Sequence, residues 1–447
     1  MCYLVAILRN SLNTAIFVIS HDIKTNKGTL NCKKAVYDNS SWWIKLKVLI
    51  LGLDGYIGWS LALRQLSLGN EVCGIDNFSR RKSVEEIGSW SAIPILPIEK
   101  RISILQQEYG DKISFYAGDL VDSNFASDVI KKFKPDAIVH LAEQPSAPYS
   151  MIDQSHTLYT QSNNVLGTLN VLFAMRNHAP KSHLIKLGTM GEYGTPDLEI
   201  TEGFMEVEFR GKKATIPYPR FAGSWYHWSK VHDSNNVAFA CKLWGLRSTD
   251  IMQGVVYGTR TSQITDPSKH TRFDFDEIFG TVINRYCAQA VIGHPLTVYG
   301  KGGQTRGFLA LEDSVQCMSI LIANPPETGE YRVVNQFDQQ YQVSDLAERV
   351  KRIADKKGLD AQVQRFENPR VEKEEHYYKA DHEQLKKLGF KATRHIDDEI
   401  NIMLDDLIIH EDRIRAKKDQ MTKLVKWRDG SDMIKQRVVN PLILPMD

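Results

Sequence analysis

An apolar run that leads directly into a glycine-rich turn limits what this chain can fold into more than any other feature. Residues 45–51 are mostly apolar, as in a strand buried within a parallel sheet. Residues 52–58 then follow the pattern Gly-x-x-Gly-x-x-Gly, and residues 57–68 have the apolar spacing of a helix. In this context the backbone can approach a dinucleotide pyrophosphate at the positive end of the helix. The expected contacts to such a cofactor are Gly52, Asp54, Gly55, Tyr56, Ile57 and Gly58.

The second strand predicts which dinucleotide is bound. Residues 71–75 form this strand, and Asp76 stands at its end, where an acid can hold an adenosine ribose diol. A carboxylate at this place repels a 2′-phosphate, so the sequence favours NAD over NADP. Asn77 and Arg80 are further candidate contacts, and the pair Arg80 and Arg81 weakens the preference for NAD without reversing it.

Strands and helices continue to alternate as far as residue 258. Further strands are predicted at 113–116, 137–141, 183–187 and 248–252, with a long helix at 157–177. This order predicts an α/β Rossmann fold with a doubly wound parallel sheet and a smaller, interleaved C-terminal domain. The predicted organisation is a poorly ordered extension at 1–44, an NAD-binding domain at 45–258, a substrate-binding domain with returns to the sheet at 259–410, and a solvated tail at 411–447.

Several candidate ligand residues follow the carboxyl ends of the predicted strands, where open α/β sheets bind ligands, and one, Asn163, lies on the predicted helix at 157–177. The candidates are Asp119, Leu120, Asn163, Gln253 and Val255 for the cofactor, and Gln144 and Gln253 for the substrate. Arg101 lies in the long connection at 82–111, and loops of this length are often functional. The sequence leaves two interpretations of Arg101 open: a surface charge and a cofactor contact.

Tyr226 and Lys230 are four residues apart and would lie on one face of a helix. A phenol has an ordinary pKa of about 10 and is a poor base at neutral pH. A lysine ammonium beside it would favour the phenolate and lower that pKa. The pair therefore indicates a device for taking a proton from a sugar or alcohol hydroxyl, and both residues are also candidate cofactor contacts.

Composition excludes some classes of function. The net charge is only +2, so no nucleic-acid partner is expected, and no apolar run reaches the ~20 residues of a membrane span. The six cysteines are scattered, which predicts neither a zinc site nor a disulfide framework and suits a reducing compartment. No metal site is expected among the 13 histidines. We expect a cytoplasmic protein, with organelle import as the alternative because no acidic residue precedes Asp22.

Together, the glycine turn, the ribose acid, Thr189 and the Tyr-x-x-x-Lys pair resemble the extended short-chain dehydrogenase/reductase superfamily. Longer motifs resemble its UDP-sulfoquinovose synthase family over about residues 47–390. These motifs are Glu143-Gln144 and the segments 146–153, 186–196, 226–234, 293–307 and 368–372. In one place the chain departs from the family, because Pro145 stands where an arginine is common. Any contact from that arginine must be absent here or come from elsewhere.

The resemblance implies an enzyme that converts UDP-glucose and sulfite, or a sulfite donor, into UDP-sulfoquinovose with a bound NAD. It also implies a homodimer that pairs the helix at 157–177 with the Tyr226 helix. Tyr226 would take the O4 proton, Lys230 would tune it, and Thr189 would hydrogen-bond the same oxygen. Related 4,6-dehydratases place Asp-Glu directly after this threonine, whereas Met190 and Gly191 stand here. Glu192 and His227 are therefore the expected proton carriers for elimination.

The resemblance also implies the substrate contacts. A UDP pyrophosphate carries about two negative charges, which guanidinium groups meet best. The expected substrate-binding residues are Gln144, Thr189, Tyr226, Gln253, Val298, Gln304, Arg306, Arg370 and His376. Two kinds of alternative stay open: a 4-epimerase or 4,6-dehydratase-like enzyme, and a catalytically silent NAD-binding scaffold. The intact set of Thr189, Tyr226 and Lys230 counts against the scaffold.

Overall fold

A computed structural model describes residues 5–9, 15–19, 24–25, 28–29, 45–370, 379–422 and 425–427. The chain divides into two compact units, Met1–Lys45 and Leu46–Asp447. Within the first unit, Val5–Arg9 pairs antiparallel with Ala15–Ile19, and Lys24–Thr25 pairs with Gly28–Thr29. Most of residues 1–44 lies outside the described residues, so their predicted disorder stays a prediction.

A seven-stranded parallel sheet is the centre of the second unit. We number its strands in chain order: β1 Lys47–Leu51, β2 Glu71–Asp76, β3 Ile113–Ala117, β4 Ala137–His140, β5 His183–Leu187, β6 Arg247–Gln253 and β7 Tyr331–Gln336. Their order across the sheet is β7-β6-β5-β4-β1-β2-β3, with every neighbouring pair parallel. The order reverses direction beside β1, which creates a crevice at the carboxyl ends of β1 and β4. The predicted doubly wound parallel sheet is confirmed.

Helices cover both faces of this sheet. Up to β6 they are Tyr56–Ser67, Ser79–Glu86, Ile98–Tyr109, Ser123–Phe133, Ala147–Ser150, Gln154–Gln161, Gly167–His178 and Trp225–Trp244. A π-helical turn, Ser162–Leu166, interrupts the long helix that was predicted at 157–177. Short 3-10 turns lie at Gly110–Lys112 and Met190–Tyr193. The apolar side chains of β1, β2 and β4 alternate between two buried clusters, one on each face, so the sheet holds both layers together.

The smaller domain contains its own short strands and helices. Val255–Tyr257, Thr305–Ala310 and Gln339–Gln342 form one sheet, and Leu296–Tyr299 pairs with Val363–Phe366. Its helices are Val282–Val291, Val343–Lys356, Ile396–Ile408 and Glu411–Arg415, with 3-10 turns at Pro267–Lys269 and Lys418–Thr422. Two further helices of this region, Leu311–Ala323 and Glu383–Lys387, pack against the parallel sheet instead. β7 comes from this part of the sequence, so the domain is interleaved with the sheet.

An exposed hairpin, Phe204–Phe209 with Lys212–Pro217, lies between β5 and the Tyr226 helix. The described part of the predicted tail is not a solvated extension. Ile414, Met421 and Val425 are buried against the rest of the unit, because this segment carries apolar side chains that the charge pattern concealed. Among the described residues, no helix is both long enough and apolar enough to cross a bilayer.

Candidate active site

A cavity of about 670 Å³ opens at the carboxyl ends of the sheet strands. The turn after β1 forms its floor. Gly52 has a φ of +89°, and a Cβ atom on Gly58 would overlap the carbonyl oxygen of Gly52. The turn therefore needs glycine at both positions, because only glycine permits the left-handed conformation and the close approach of the helix.

Most of the predicted site residues line this cavity. They are Gly52, Asp54, Gly55, Tyr56, Ile57, Gly58, Asp76, Asn77, Arg80, Asp119, Leu120, Asn163, Thr189, Tyr226, His227, Lys230, Gln253, Val255, Arg306 and Arg370. Four of the predicted residues within the described chain, Arg101, Gln144, Val298 and Gln304, are buried but lie outside the lining. Glu192 also lies outside it, and His376 is not among the described residues.

The charged side chains beside the glycine turn form close ion pairs. The Asp54 carboxylate meets Arg81 at 2.5 Å and Arg101 at 2.6 Å, and the Arg101 guanidinium stacks 3.6 Å above the Trp59 ring. Arg101 is only 1% exposed, so the surface-charge interpretation is wrong. Its guanidinium instead fixes Asp54, which itself lines the cavity.

Asp76 stands where the ribose acid was expected. Its carboxylate accepts hydrogen bonds from the backbone amides of Asp54 and Phe78, both at 2.8 Å. Burial, together with the charge of Asp54, raises the pKa of Asp76 to about 6. Arg80 is 2.7 Å from Asp274 and lies 3.9 Å above the Phe279 ring. Arg80 is therefore paired with a carboxylate within the wall, and Asp76 lines the cavity as the candidate acid for the ribose.

The Tyr226 helix places the phenol and the Lys230 ammonium at the opposite end of the cavity. Ser224 caps the helix by accepting the amide of His227. The Lys230 ammonium lies 2.5 Å from Glu143 and donates to the carbonyl of Leu187 at 2.6 Å. It is 5.9 Å from the centre of the Tyr226 ring.

In this structure the pKa of the Tyr226 phenol is raised, so the net shift is opposite to the lowering expected from Lys230. Burial raises the pKa of the phenol above its ordinary value, and the carboxylates of Glu143 and Glu192 raise it further. Two causes act together: the phenol is enclosed, and Glu143 balances the charge of the nearby ammonium.

Thr189 begins the 3-10 turn Met190–Tyr193 after β5. Its hydroxyl accepts the amide of Gly191 at 3.1 Å, and its backbone amide donates to the Glu192 carboxylate at 3.2 Å. This reciprocal cap holds Thr189 at the cavity wall.

The structure places Glu192, an expected proton carrier, outside the cavity lining. Its side chain is fully buried, and its carboxylate meets Arg220 at 2.8 Å, Ser234 at 2.9 Å and Lys186 at 3.4 Å. Lys186 is also 3.5 Å from Asp250. Glu192 is thus held within a buried ion cluster behind Thr189, where the cap of the 3-10 turn directs it away from the cavity.

His227 lies at the cavity wall over Gly191. Its Nδ1 atom is 2.9 Å from the Ser224 hydroxyl, and a Cβ atom on Gly191 would overlap the imidazole. Burial, together with the charges of Arg370, Arg306 and Lys230, lowers the pKa of His227 to about 3. The imidazole is therefore neutral at physiological pH.

Gln144 is one of the predicted substrate contacts that the structure places outside the cavity lining. The Gln144 side chain turns inward and donates to Thr160 at 2.8 Å, while its carbonyl accepts the amide of Ser146. Glu143 and Pro145 line the cavity in its place. Gln253 does line the cavity, and its buried side-chain oxygen has no hydrogen-bond partner among the described residues.

Glu143 and Trp427 are among the lining residues that sequence reasoning missed. Glu143 directly follows the strand-four region, and its position at that strand end was a usable signal. Trp427 comes from the region predicted as a tail, and its ring lies 5.7 Å from the Arg370 guanidinium. No local pattern could have placed Trp427, because the contact joins distant parts of the chain.

These residues fit a nicotinamide dinucleotide. The glycine turn leaves room for a pyrophosphate, Asp76 supplies the ribose acceptor, and the unpartnered Gln253 oxygen offers a further polar contact at the wall. Within the described part of the chain, no group of three His, Cys, Asp or Glu side chains could hold a metal ion.

Comparisons with known proteins agree with this geometry. The model of the "NAD dependent epimerase/dehydratase family" matches residues 48–335. A UDP-sulfoquinovose synthase from Sulfolobus acidocaldarius is 50% identical over 384 residues, which cover 86% of this chain and 98% of that protein. A chloroplastic UDP-sulfoquinovose synthase from Spinacia oleracea is 46% identical over 411 residues, which cover 92% of this chain and 84% of that protein.

A solved structure shares the fold at much lower identity. The UDP-glucuronic acid 4-epimerase from Bacillus cereus, in complex with UDP-glucuronic acid and NAD, superposes with a TM-score of 0.61 at 21% identity. The match covers 81% of this chain and 99% of that structure.

Proposed function

The chain belongs to the NAD-dependent epimerase/dehydratase family and, within it, to the UDP-sulfoquinovose synthases, and we propose that it converts UDP-glucose and sulfite into UDP-sulfoquinovose. It is an NAD-dependent enzyme that acts on a UDP-sugar. Sulfite as the direct sulfur donor, and the residue roles below, are part of our proposal.

The reaction places four demands on the site. Carbon 4 of the glucose is oxidised first, because a ketone there acidifies the hydrogen on carbon 5. Water then leaves from carbon 6, and sulfite adds to the resulting conjugated enone. Bound NAD supplies the redox chemistry, accepting hydride from carbon 4 at the start and returning it at the end.

The observation that carries the proposal is the meeting of Thr189, Tyr226, Lys230 and a neutral His227 at one end of the cavity. Tyr226 exchanges the O4 proton, and the Thr189 hydroxyl hydrogen-bonds the same oxygen. The neutral His227 imidazole takes the carbon-5 proton and delivers a proton to the departing hydroxyl. This assignment replaces Glu192, whose carboxylate is enclosed by Lys186 and Arg220.

Charge complementarity supports the substrate orientation. Arg306 and Arg370 line the same cavity and are cations of the kind that pair with a diphosphate. Both also lower the pKa of His227, so they are close to the end where the sugar must lie. With the diphosphate at these arginines, the hexose is directed toward Tyr226 and His227.

Mass analysis of the nucleotide sugar tests the function. The purified enzyme, incubated with UDP-glucose, NAD and labelled sulfite, should yield a sulfur-labelled UDP-hexose, and Tyr226→Phe should abolish it. The same incubation without sulfite separates the alternatives, since a 4-epimerase would form UDP-galactose and a 4,6-dehydratase a stable 4-keto-6-deoxy sugar. A product without sulfur under the complete conditions would contradict the proposal.

We also propose that the protein is a homodimer. The helices at 154–178 and Trp225–Trp244 pack together, as shown by the Phe173 and Trp244 rings, whose centres are 4.9 Å apart. Their outer sides expose large apolar side chains: Leu158, Leu166, Phe173, Trp225, Phe239 and Leu243. Soluble monomers rarely expose apolar surface on this scale, so a second copy pairing the same two helices would cover it.

The compartment stays a prediction. We propose the cytoplasm, with organelle import as the alternative. Localising a C-terminally tagged full chain in cells would distinguish the two.

A further inference from the structure

Glu143 holds a buried negative charge that the proposed reaction does not use. It follows β4 at the cavity wall, and its side chain is only 2% exposed. Its closest charged neighbour is the Lys230 ammonium, at 2.5 Å. No group in the described part of the chain makes a hydrogen bond to either carboxylate oxygen with good geometry, so the ion pair is its main stabilising contact.

The surroundings do not offer Glu143 a better partner. His140, on β4, is 4.0 Å away, and burial lowers its pKa to about 4, so its imidazole is neutral. Asp233, on the Tyr226 helix, is buried near Glu143, and burial together with the Glu143 charge raises its pKa well above the ordinary value. Lys186, on β5, is already engaged by Asp250 and Glu192.

We propose that Glu143 is a positioning residue: it is the counter-ion of Lys230 and, through it, sets how readily the Tyr226 phenol gives up its proton. The inference rests on the proposed function, because it concerns the same phenol. It goes further by assigning control of that phenol to a pair of opposite charges instead of to the lysine alone.

Two observations agree with this assignment. The Lys230 ammonium has a second fixed contact, the Leu187 carbonyl at 2.6 Å, so removing the Glu143 charge would leave the ammonium in place. Among the charges acting on Tyr226, Glu143 is the strongest of those that raise its pKa, after burial itself. An unbalanced ammonium would then favour the phenolate, as opposite charges within about 4–6 Å ordinarily do.

The test is the pH profile of kcat/KM for the full reaction. Glu143→Gln keeps the shape and an oxygen acceptor but removes the charge, and its acid limb should move to lower pH by about one unit or more. Glu143→Asp keeps the charge, so its limb should stay within about 0.3 unit of the wild type even if kcat falls. The matched control is Glu312→Gln, a buried carboxylate paired with Arg64 outside the cavity, which should not move the limb.

A Glu143→Gln enzyme that keeps its NAD and shows an unmoved acid limb would overturn the proposal. If this variant does not fold, the acid limb of Lys230→Gln is compared with that of the double variant Lys230→Gln, Glu143→Gln. Neither of these proteins contains a Lys230 ammonium without its Glu143 partner. The added change should then move the limb by less than one unit, because only the direct effect of the Glu143 charge on the phenol remains, and a shift of one unit or more in this background would also overturn the proposal. Failure of the proposed function is distinguishable, because the wild type would then form no sulfur-labelled product at any pH.

Discussion

The imidazole of His227 occupies the space into which a side chain on Gly191 would project. Related 4,6-dehydratases carry a glutamate at the second position after the threonine, and here that position is a glycine. A carboxylate side chain at position 191 and the imidazole of His227 could not both occupy this space. Under the proposed function, the proton acceptor is the imidazole of His227, which lines the cavity.

Gly191→Ala should displace the imidazole and slow elimination. We expect exchange of the carbon-5 hydrogen with deuterated water to fall by about tenfold or more, while UDP-glucose still reduces the bound NAD. NMR follows the exchange and absorbance follows the coenzyme. The matched control is Gly167→Ala, where the new Cβ atom would meet Leu120 at an ordinary 3.5 Å. Unchanged exchange in Gly191→Ala would remove His227 from the elimination step.

Glu192→Gln should affect stability more than catalysis. The substitution leaves Lys186 and Arg220 without one of their buried partners, and breaking such a pair costs about 3–5 kcal/mol. We expect a clear loss in the free energy of unfolding, measured by urea denaturation, with carbon-5 exchange retained by the folded fraction at low temperature. Glu208→Gln, which removes an exposed pair with Lys213, serves as control and should change stability little. Loss of exchange in a stable Glu192→Gln protein would restore the catalytic role.

Stability should decline as the pH falls below about 6.5. Burial lowers the pKa of His183 and of His227 to about 3 and that of His140 to about 4. In the unfolded chain these three imidazoles bind protons near pH 6.5, whereas in the folded chain they do not. Their contribution to the free energy of unfolding is therefore fully present above pH 6.5 and is lost on acidification.

The contribution of one such group can be isolated. Between pH 7.5 and 5.0, His183→Gln should reduce the loss of unfolding free energy by about 2 kcal/mol relative to wild type. Urea denaturation at both pH values gives the comparison, and the exposed His232 provides the control substitution His232→Gln. An equal loss in His183→Gln and wild type would show that His183 is not neutral in the fold.

Phe239→Asp should convert the dimer into a monomer. The side chain is 61% exposed on the outer side of the Tyr226 helix, and a charge there would have to be desolvated at the paired surface. Light scattering coupled to size-exclusion chromatography measures the mass. Phe209→Asp, at a 70% exposed position in the hairpin, is the control and should leave the dimer intact. A wild-type protein that is already monomeric would contradict the proposed pairing.

Trp427→Ala should weaken UDP binding. The indole lies 5.7 Å from the Arg370 guanidinium, and the backbone amide of Trp427 donates to the carbonyl of Pro369 at 3.2 Å. Because a cation over an indole is worth roughly 1 kcal/mol, we expect Kd to rise five- to tenfold in calorimetric titration with UDP. Trp90→Ala removes a comparable stack on Arg413 outside the cavity and should leave Kd unchanged. Equal affinities would show that Trp427 does not support Arg370.

The parts of this protein that the sequence predicted well depend on local chemistry. The strand before Gly52, the glycine turn and Asp76 follow from hydrophobic pattern, backbone freedom and spacing, all of which act within about 30 residues. The same holds for the Tyr226 helix, because its Ser224 cap and the four-residue spacing of Tyr226 and Lys230 are local features. Motif identity with a known family carried the prediction of function over a much longer range.

Only the tertiary structure decided which groups actually meet in the cavity. Glu192 and Glu143 are both carboxylates beside strand ends, yet Arg220, 28 residues beyond Glu192, draws one into a buried cluster while Lys230 holds the other at the wall. Trp427 reaches Arg370 from a region that resembled a tail. The physical reason is that burial and charge pairing, which set direction and pKa, depend on neighbours that approach through space from distant segments.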